Sequence, residues 1–138
     1  MLEFTIAKPT TGGYKEKGSN FHAVVEPASS FEDVKAILLT FRDQFPDANH
    51  ICYAYRIKKG KSLDEFSSDA GEPKGSAGQP ILNALKRQNL INTSIFVVRY
   101  YSRDKLDIPR LIHSYGVAAE NAIKNAKLKP WMAKKRLL

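Results

Sequence analysis

Two acidic side chains in a glycine-rich stretch, residues 67–80, are the clearest candidates for chemistry. Asp69 and Glu72 lie three residues apart, and paired carboxylates act as acid and base when their surroundings separate their pKa values. Nothing in the sequence indicates such surroundings, so the favoured interpretation is that they cap backbone N–H groups or grip a basic partner. We expect a stiff loop that approaches a partner closely, because the stretch also contains Gly71, Pro73, Gly75, Gly78 and Pro80.

This loop leads into a predicted helix over about residues 77–88. Ser76 and Gln79 have the spacing of a capping box, and the apolar residues that follow share one helical face. A helix N-terminus presents free backbone N–H groups, which suit an anion. The stretch is not a phosphate-binding loop of the Gly-x-x-x-x-Gly-Lys-Ser/Thr type, because Lys74 precedes Gly75 instead of following it.

A histidine and the single cysteine lie two residues apart on a predicted strand. His50 and Cys52 therefore share a face, which would suit a nucleophilic pair or two metal ligands. A zinc site needs three or four ligands, and no ligand spacing connects His22 or His113 to this pair. We predict a buried thiol beside a hydrogen-bonding histidine, with no metal and no cofactor.

A second candidate cluster interleaves cations and aromatic rings between Arg99 and Arg110. Aromatic rings stack on unpaired bases while cations meet phosphates. The alternative is that the tyrosines alternate between core and solvent and that the arginines are simply solvated. We predict a binding face that combines the loop with this cluster, made of Asp69, Gly71, Glu72, Lys74, Gly75, Ser76, Gly78, Arg99, Tyr101, Arg103 and Lys105.

Size and charge restrict the class of protein. The 138 residues are 43% apolar and 26% charged, which is typical of one soluble domain. The sequence contains no apolar stretch long enough to cross a bilayer and no secretion signal, and its lone cysteine fits a reducing cytoplasm. The net charge is +8, and six basic residues follow Glu120. A basic end attracts nucleic acid or acidic surfaces, or it complements a helix dipole. We expect one domain over residues 1–129 and a basic tail over 130–138.

Periodicity predicts an α+β domain with a two-layer arrangement. Strands are expected around residues 2–6, 21–25, 51–57, 63–67 and 95–101, with a turn at residues 10–13. The strand at 95–101 is almost continuously apolar, which favours a central position. Helices are expected after a capping box at Ser29 and Glu32, over residues 77–88, and from an N-cap at Asp107 to about residue 129.

Four motifs resemble the Impact/YigZ family. The glycine-rich stretch resembles its Asp-Asp-Gly-Glu-Pro-x-Gly-Thr-Ala-Gly-x-Pro signature. Three further segments, in the family's order, are similar to Lys-x-Ser-x-Phe, Asp-Ala-x-His-x-Cys-x-Ala and Val-x-Arg-Tyr-Phe/Tyr; they are residues 17–21, 47–54 and 97–101. The resemblance implies a mixed sheet with helices on one face and the left-handed βαβ crossover of a ribosomal-protein and elongation-factor domain. It also implies that the ferredoxin-like second domain of bacterial members is absent here.

The chain departs from the family after Tyr101. Five positions at which the family has glycine carry Ser102, Arg103, Asp107, Pro109 and Arg110. Proline and arginine lack the conformational freedom of glycine. We therefore expect this segment to be an ordinary helix start with a changed ligand preference.

The resemblance implies a cytoplasmic protein linked to translation, since eukaryotic relatives restrain a translational-control kinase by competing for its activator protein. Our first hypothesis is a non-catalytic binding module whose partner is RNA, the ribosome or a translation-associated protein. The alternative is a small hydrolase that acts on a phosphorylated or nucleotide substrate through Asp69 and Glu72. A third possibility is a protein-interaction fragment whose activity needs the second domain or a homodimer.

Overall fold

The structure is a computed structural model that describes residues 2–102 and 105–132. None of the helices within these ranges is long and apolar enough to cross a membrane. In chain order the elements are β1 (Phe4–Ile6), β2 (Thr10–Glu16), β3 (Ser19–Pro27), α1 (Phe31–Gln44), β4 (His50–Lys59), β5 (Ser62–Ser68), α2 (Gly78–Arg87), β6 (Thr93–Tyr100), α3 (Ile108–Lys124) and β7 (Leu128–Pro130).

The main sheet has five strands in the order β2-β3-β6-β4-β5. Every neighbouring pair in it is antiparallel. Strands β3 and β4 both flank β6, so they run parallel to each other and α1 makes the crossover between them. The α+β class and the central position of β6 are confirmed. The hand of the crossover stays a prediction.

The helices cover both faces of this sheet, which differs from the expected two layers and helices on one face. Ile95 and Val97 of β6 pack in the core under α2 and α3. Phe96, between them, packs with Val34 and Phe41 of α1 on the opposite face. Successive side chains of a strand point to opposite faces. Because both faces of the central strands are apolar, both need a helical cover.

Two segments have a different structure from the one that local patterns predicted. Residues 10–13 form part of β2 and not a turn. Gly12 is required there because a Cβ atom at this position would lie 2.4 Å from the backbone N of Ala122 in α3. Helix α3 ends at Lys124 instead of residue 129, and the following residues pair as β7 with β1. Residues 133–138 of the predicted basic tail lie outside the described ranges.

Two helix starts test the capping predictions. Helix α1 is capped by Ser30, whose hydroxyl accepts the N–H of Asp33 at 3.1 Å. The predicted capping box at Ser29 is wrong by one residue, because Ser29 donates to the Asp33 carboxylate instead. The predicted N-cap of α3 is confirmed, since Asp107 accepts the N–H of Arg110 at 2.9 Å and Pro109 lies in the first turn.

Candidate functional site

The carboxylate of Asp69 organises the glycine-rich loop from inside. One oxygen accepts the N–H groups of Ala77 and Gly78, at 3.2 and 2.8 Å. The other accepts the N–H of Gly75 at 2.9 Å. Asp69 thus caps α2 from eight residues before the N-cap position, Ala77, and this confirms the capping role among its alternatives.

The predicted capping box at the start of α2 is wrong. The hydroxyl of Ser76 donates to the carbonyl of Pro73 at 2.5 Å, and Gln79 donates to Asn83 within the helix. Ser76 is fully buried and its own N–H also reaches the Pro73 carbonyl. A carboxylate makes stronger hydrogen bonds than a hydroxyl, so Asp69 takes the capping role.

The loop is therefore not an open cradle for an external anion. The amides of Gly75, Ala77 and Gly78 already bind Asp69, and the amide of Glu72 binds the Asp69 carbonyl. The carboxylate also supplies the negative charge that a bound anion would bring to the helix terminus. The expectation of an anion at these donors is contradicted.

Close packing explains why the loop contains glycine. A Cβ atom at Gly78 would lie 2.8 Å from the backbone N of Ser68. Gly71 and Gly75 have φ angles of +90° and +80°, which L side chains rarely adopt. The loop can therefore turn tightly against the end of β5.

Beneath the loop, Glu72 is held in a buried polar cluster. Its side chain is 4% exposed and that of Arg99 is 3% exposed. Arg99 Nη1 donates to Glu72 Oε2 at 2.7 Å, and the Tyr115 hydroxyl donates to the same oxygen. Arg99 Nη2 donates to Ser19 Oγ at 3.0 Å. The cluster ties the loop to β3, β6 and α3, and the basic partner of Glu72 is internal.

His50 joins this cluster from β4. Its Nδ1 lies 2.8 Å from the carbonyl oxygen of Ala70. A carbonyl only accepts, so Nδ1 carries the proton. The other nitrogen, Nε2, lies 3.5 Å from Glu72 Oε1. The histidine therefore fastens the loop backbone, and its hydrogen-bonding role is confirmed.

The surroundings of Cys52 favour the protonated thiol. Cys52 is fully buried, and its thiol donates to the Asp69 carbonyl at 3.2 Å. Burial raises the pKa of the thiol to about 12, and the nearby charges of Glu72 and Asp69 act in the same direction. The reactive form of a cysteine is the thiolate, which this setting disfavours. The prediction of a buried thiol beside a hydrogen-bonding histidine is confirmed. The pKa of Tyr115 is also raised far above its usual range, and burial is the main cause.

A cleft of about 260 Å³ opens beside the cluster. Arg99 stacks under Tyr101, with its guanidinium carbon 4.2 Å from the ring centroid. The His50 ring is inclined 15° to the Tyr101 ring, with the centroids 6.3 Å apart. The walls are formed by His50, Gly71, Glu72, Pro73, Arg99, Tyr101, Lys105, Leu106 and Leu111. An aromatic ring and a lysine therefore meet at one opening.

The structure divides the predicted binding face into three groups. Those that line the cleft are Gly71, Glu72, Arg99, Tyr101 and Lys105. Those with roles inside the loop are Asp69, Gly75, Ser76 and Gly78. Lys74 is exposed on the loop, and Arg103 lies outside the described residues.

Sequence reasoning missed Ser19 and Tyr115 as partners of the loop. Both are buried and both bind the Glu72–Arg99 pair, directly or through the guanidinium. Tyr115 lies on the apolar stripe of α3, and the sequence pattern indicated a core residue without indicating a partner for its hydroxyl. A buried tyrosine usually finds a hydrogen-bond partner, and that rule could have indicated a polar group opposite it.

Comparisons with known proteins agree on one family. The family model described as the Impact N-terminal domain matches residues 17–123. An IMPACT family member from Haemophilus influenzae is 34% identical over 128 residues, which cover 90% of this chain and 61% of the relative. A Thermus thermophilus member is 39% identical over 81% of this chain and 59% of its own length. YigZ of Escherichia coli is 31% identical over 86% of this chain and 58% of its own length. The chain spans less than two thirds of each relative.

Two solved structures are also similar. The crystal structure of a hypothetical protein gives a TM-score of 0.87 at 29% identity, and the match covers 94% of this chain and 64% of that one. The two-domain translational regulator Yih1 gives a TM-score of 0.51 at 25% identity, and the match covers 89% of this chain and 47% of that one.

Proposed function

Because the chain belongs to the Impact N-terminal domain family, we propose that it is a cytoplasmic, non-catalytic binding module that acts in translation. The family assignment covers residues 17–123. The similarity to a translational regulator supports the link to translation. The chain spans less than two thirds of each relative, and its own geometry supports the binding role.

One observation carries the non-catalytic part of the proposal: both acidic side chains of the loop are already in use. Asp69 binds three backbone amides, and Glu72 binds Arg99 and Tyr115 in the interior. A general acid or base needs a substrate proton within hydrogen-bond reach. These contacts favour a rigid platform over the alternative hydrolase.

The binding face that we propose is the cleft between the loop and the end of β6. Among the described residues, Lys74 of the loop and Lys105 of the cleft wall are exposed cations, and Tyr101 presents an aromatic ring at the opening. Cations that meet phosphates beside a ring that stacks on bases are the elements of single-stranded RNA recognition. The net charge of +8 favours approach to RNA at long range. We therefore propose ribosomal RNA as the partner.

Lys105→Ala and Tyr101→Ala test this face. Binding to ribosomes is measured by co-sedimentation, and binding to single-stranded RNA by fluorescence anisotropy at several salt concentrations. We expect Lys105→Ala to weaken RNA binding and to reduce the salt slope by about 1. Lys35→Ala is the matched control, because Lys35 is an exposed lysine on α1, across the sheet.

An Arg99 variant would not test this face, because the Arg99 side chain is buried and its loss would disturb the fold. The proposal is overturned if Lys105→Ala and Lys35→Ala bind RNA equally well. It is also overturned if partners captured from a lysate survive ribonuclease treatment, which would indicate a protein partner.

A further inference from the structure

A basic cavity of about 470 Å³ lies near the C-terminal end of α3, away from the cleft. Its walls come from two segments more than a hundred residues apart in the sequence, namely the connection before β2 and the stretch after α3. The lining residues are Ala7, Lys8, Pro9, Thr10, Asn125, Lys127 and Lys129. The pairing of β1 with β7 brings these segments together.

We propose that this cavity binds a phosphorylated small molecule. Three of its seven lining residues are lysines and none is acidic. Among the described residues, none of the ion pairs involves Lys8, Lys127 or Lys129. Three like charges around one hollow repel one another unless an anion lies between them.

The helix dipole alone does not account for three lysines. The C-terminal end of a helix carries about half a negative charge. Lys124 already lies in the last turn of α3, outside the cavity walls, and complements this charge. The three cavity lysines are therefore surplus to the needs of the helix.

The shape and polarity of the cavity favour an organic phosphate. Its volume lies within the range of small-molecule sites, roughly 300–1,000 Å³. Ala7, Pro9 and the lysine stems offer apolar surface to the body of a ligand. Lysine binds phosphate as a point charge, whereas bidentate capture of a carboxylate is the role of arginine.

Calorimetric titration with ADP, inorganic pyrophosphate and adenosine tests the proposal on the full chain. We expect ADP and pyrophosphate to bind and adenosine not to bind. Lys8→Ala and Lys127→Ala should each weaken ADP binding by about tenfold, because each removes a charge-assisted contact. Lys124→Ala removes the same charge beside the cavity and should leave ADP binding almost unchanged.

The side chains exchanged are exposed, so the variants should fold; circular dichroism checks this. The proposal is overturned if neither ADP nor pyrophosphate binds at millimolar concentration, or if Lys124→Ala weakens binding as much as Lys127→Ala. It is also overturned if Lys8→Ala and Lys127→Ala weaken the binding of single-stranded RNA but leave the binding of ADP and pyrophosphate unchanged.

The outcome is separable from that for the cleft. Helix α3 has 17 residues, so its two ends lie about 25 Å apart. Lys105→Ala should therefore leave ADP binding unchanged. In the Lys127→Ala background, Lys105→Ala should weaken RNA binding by the same factor as it does in the unchanged chain.

Discussion

Removing Glu72 should cost several times more stability than removing Glu120, although both carboxylates bind an arginine at the same distance. Glu72 lies 2.7 Å from Arg99, with side-chain exposures of 4% and 3%. Glu120 also lies 2.7 Å from Arg87, but these side chains are 46% and 58% exposed. The two pairs therefore separate the effect of burial from the effect of distance.

The magnitudes follow from what each substitution leaves behind. Glu72→Ala leaves the Arg99 guanidinium buried without its counter-ion and removes the acceptor of the Tyr115 hydroxyl. Such a break costs about 3–5 kcal/mol. Glu120→Ala removes an exposed pair worth about 0.2–1 kcal/mol. For a chain of this size we expect the melting temperature to fall by roughly 10–15 °C with Glu72→Ala and by at most about 3 °C with Glu120→Ala.

Urea and thermal unfolding, followed by circular dichroism, measure both losses. A double-mutant cycle adds Arg99→Leu and the double variant Glu72→Ala/Arg99→Leu. The double variant should be less destabilised than the sum of the single variants, because it leaves no unpaired buried charge. Equal losses for Glu72→Ala and Glu120→Ala, or an additive cycle, would refute the reasoning.

Two further predictions concern the same loop. Asp69→Ala should cost about 2–4 kcal/mol and expose the loop to proteolysis, because three amides lose a charged acceptor; urea unfolding beside the exposed control Asp47→Ala measures this, and equal losses would contradict it. Burial raises the pKa of Cys52 from 9.0 to about 12, so the stability that the protonated thiol contributes is complete below pH 9 and is lost as the pH rises toward 12. Unfolding free energies over this range should decline less steeply for Cys52→Ala, and identical slopes would count against the assignment.

Much of the fold could be predicted because it depends on local periodicity. The alternation of Phe21, Ala23 and Val25 predicted β3, and the apolar run near residue 95 predicted a central strand; both are confirmed. The start of α3 was also predictable, because the Asp107 cap acts on a residue only three positions away. Prediction failed at the β1–β7 pairing, where the partners are distant in sequence. It also failed at residues 10–13, which form a local hairpin with β3, because Gly12 indicated a turn while it serves close packing against Ala122 of α3.

The sequence alone located the glycine-rich loop, the buried thiol and the central strand, because residue type and short spacing determine these features. Only the tertiary structure decided what the loop's charges do. Asp69 reaches a helix start eight residues ahead, and Glu72 meets arginine and tyrosine side chains from two other elements. The residue type of a carboxylate is the same in the sequence whether the side chain faces water or an internal guanidinium. Its function depends on burial and on partners that long-range packing supplies.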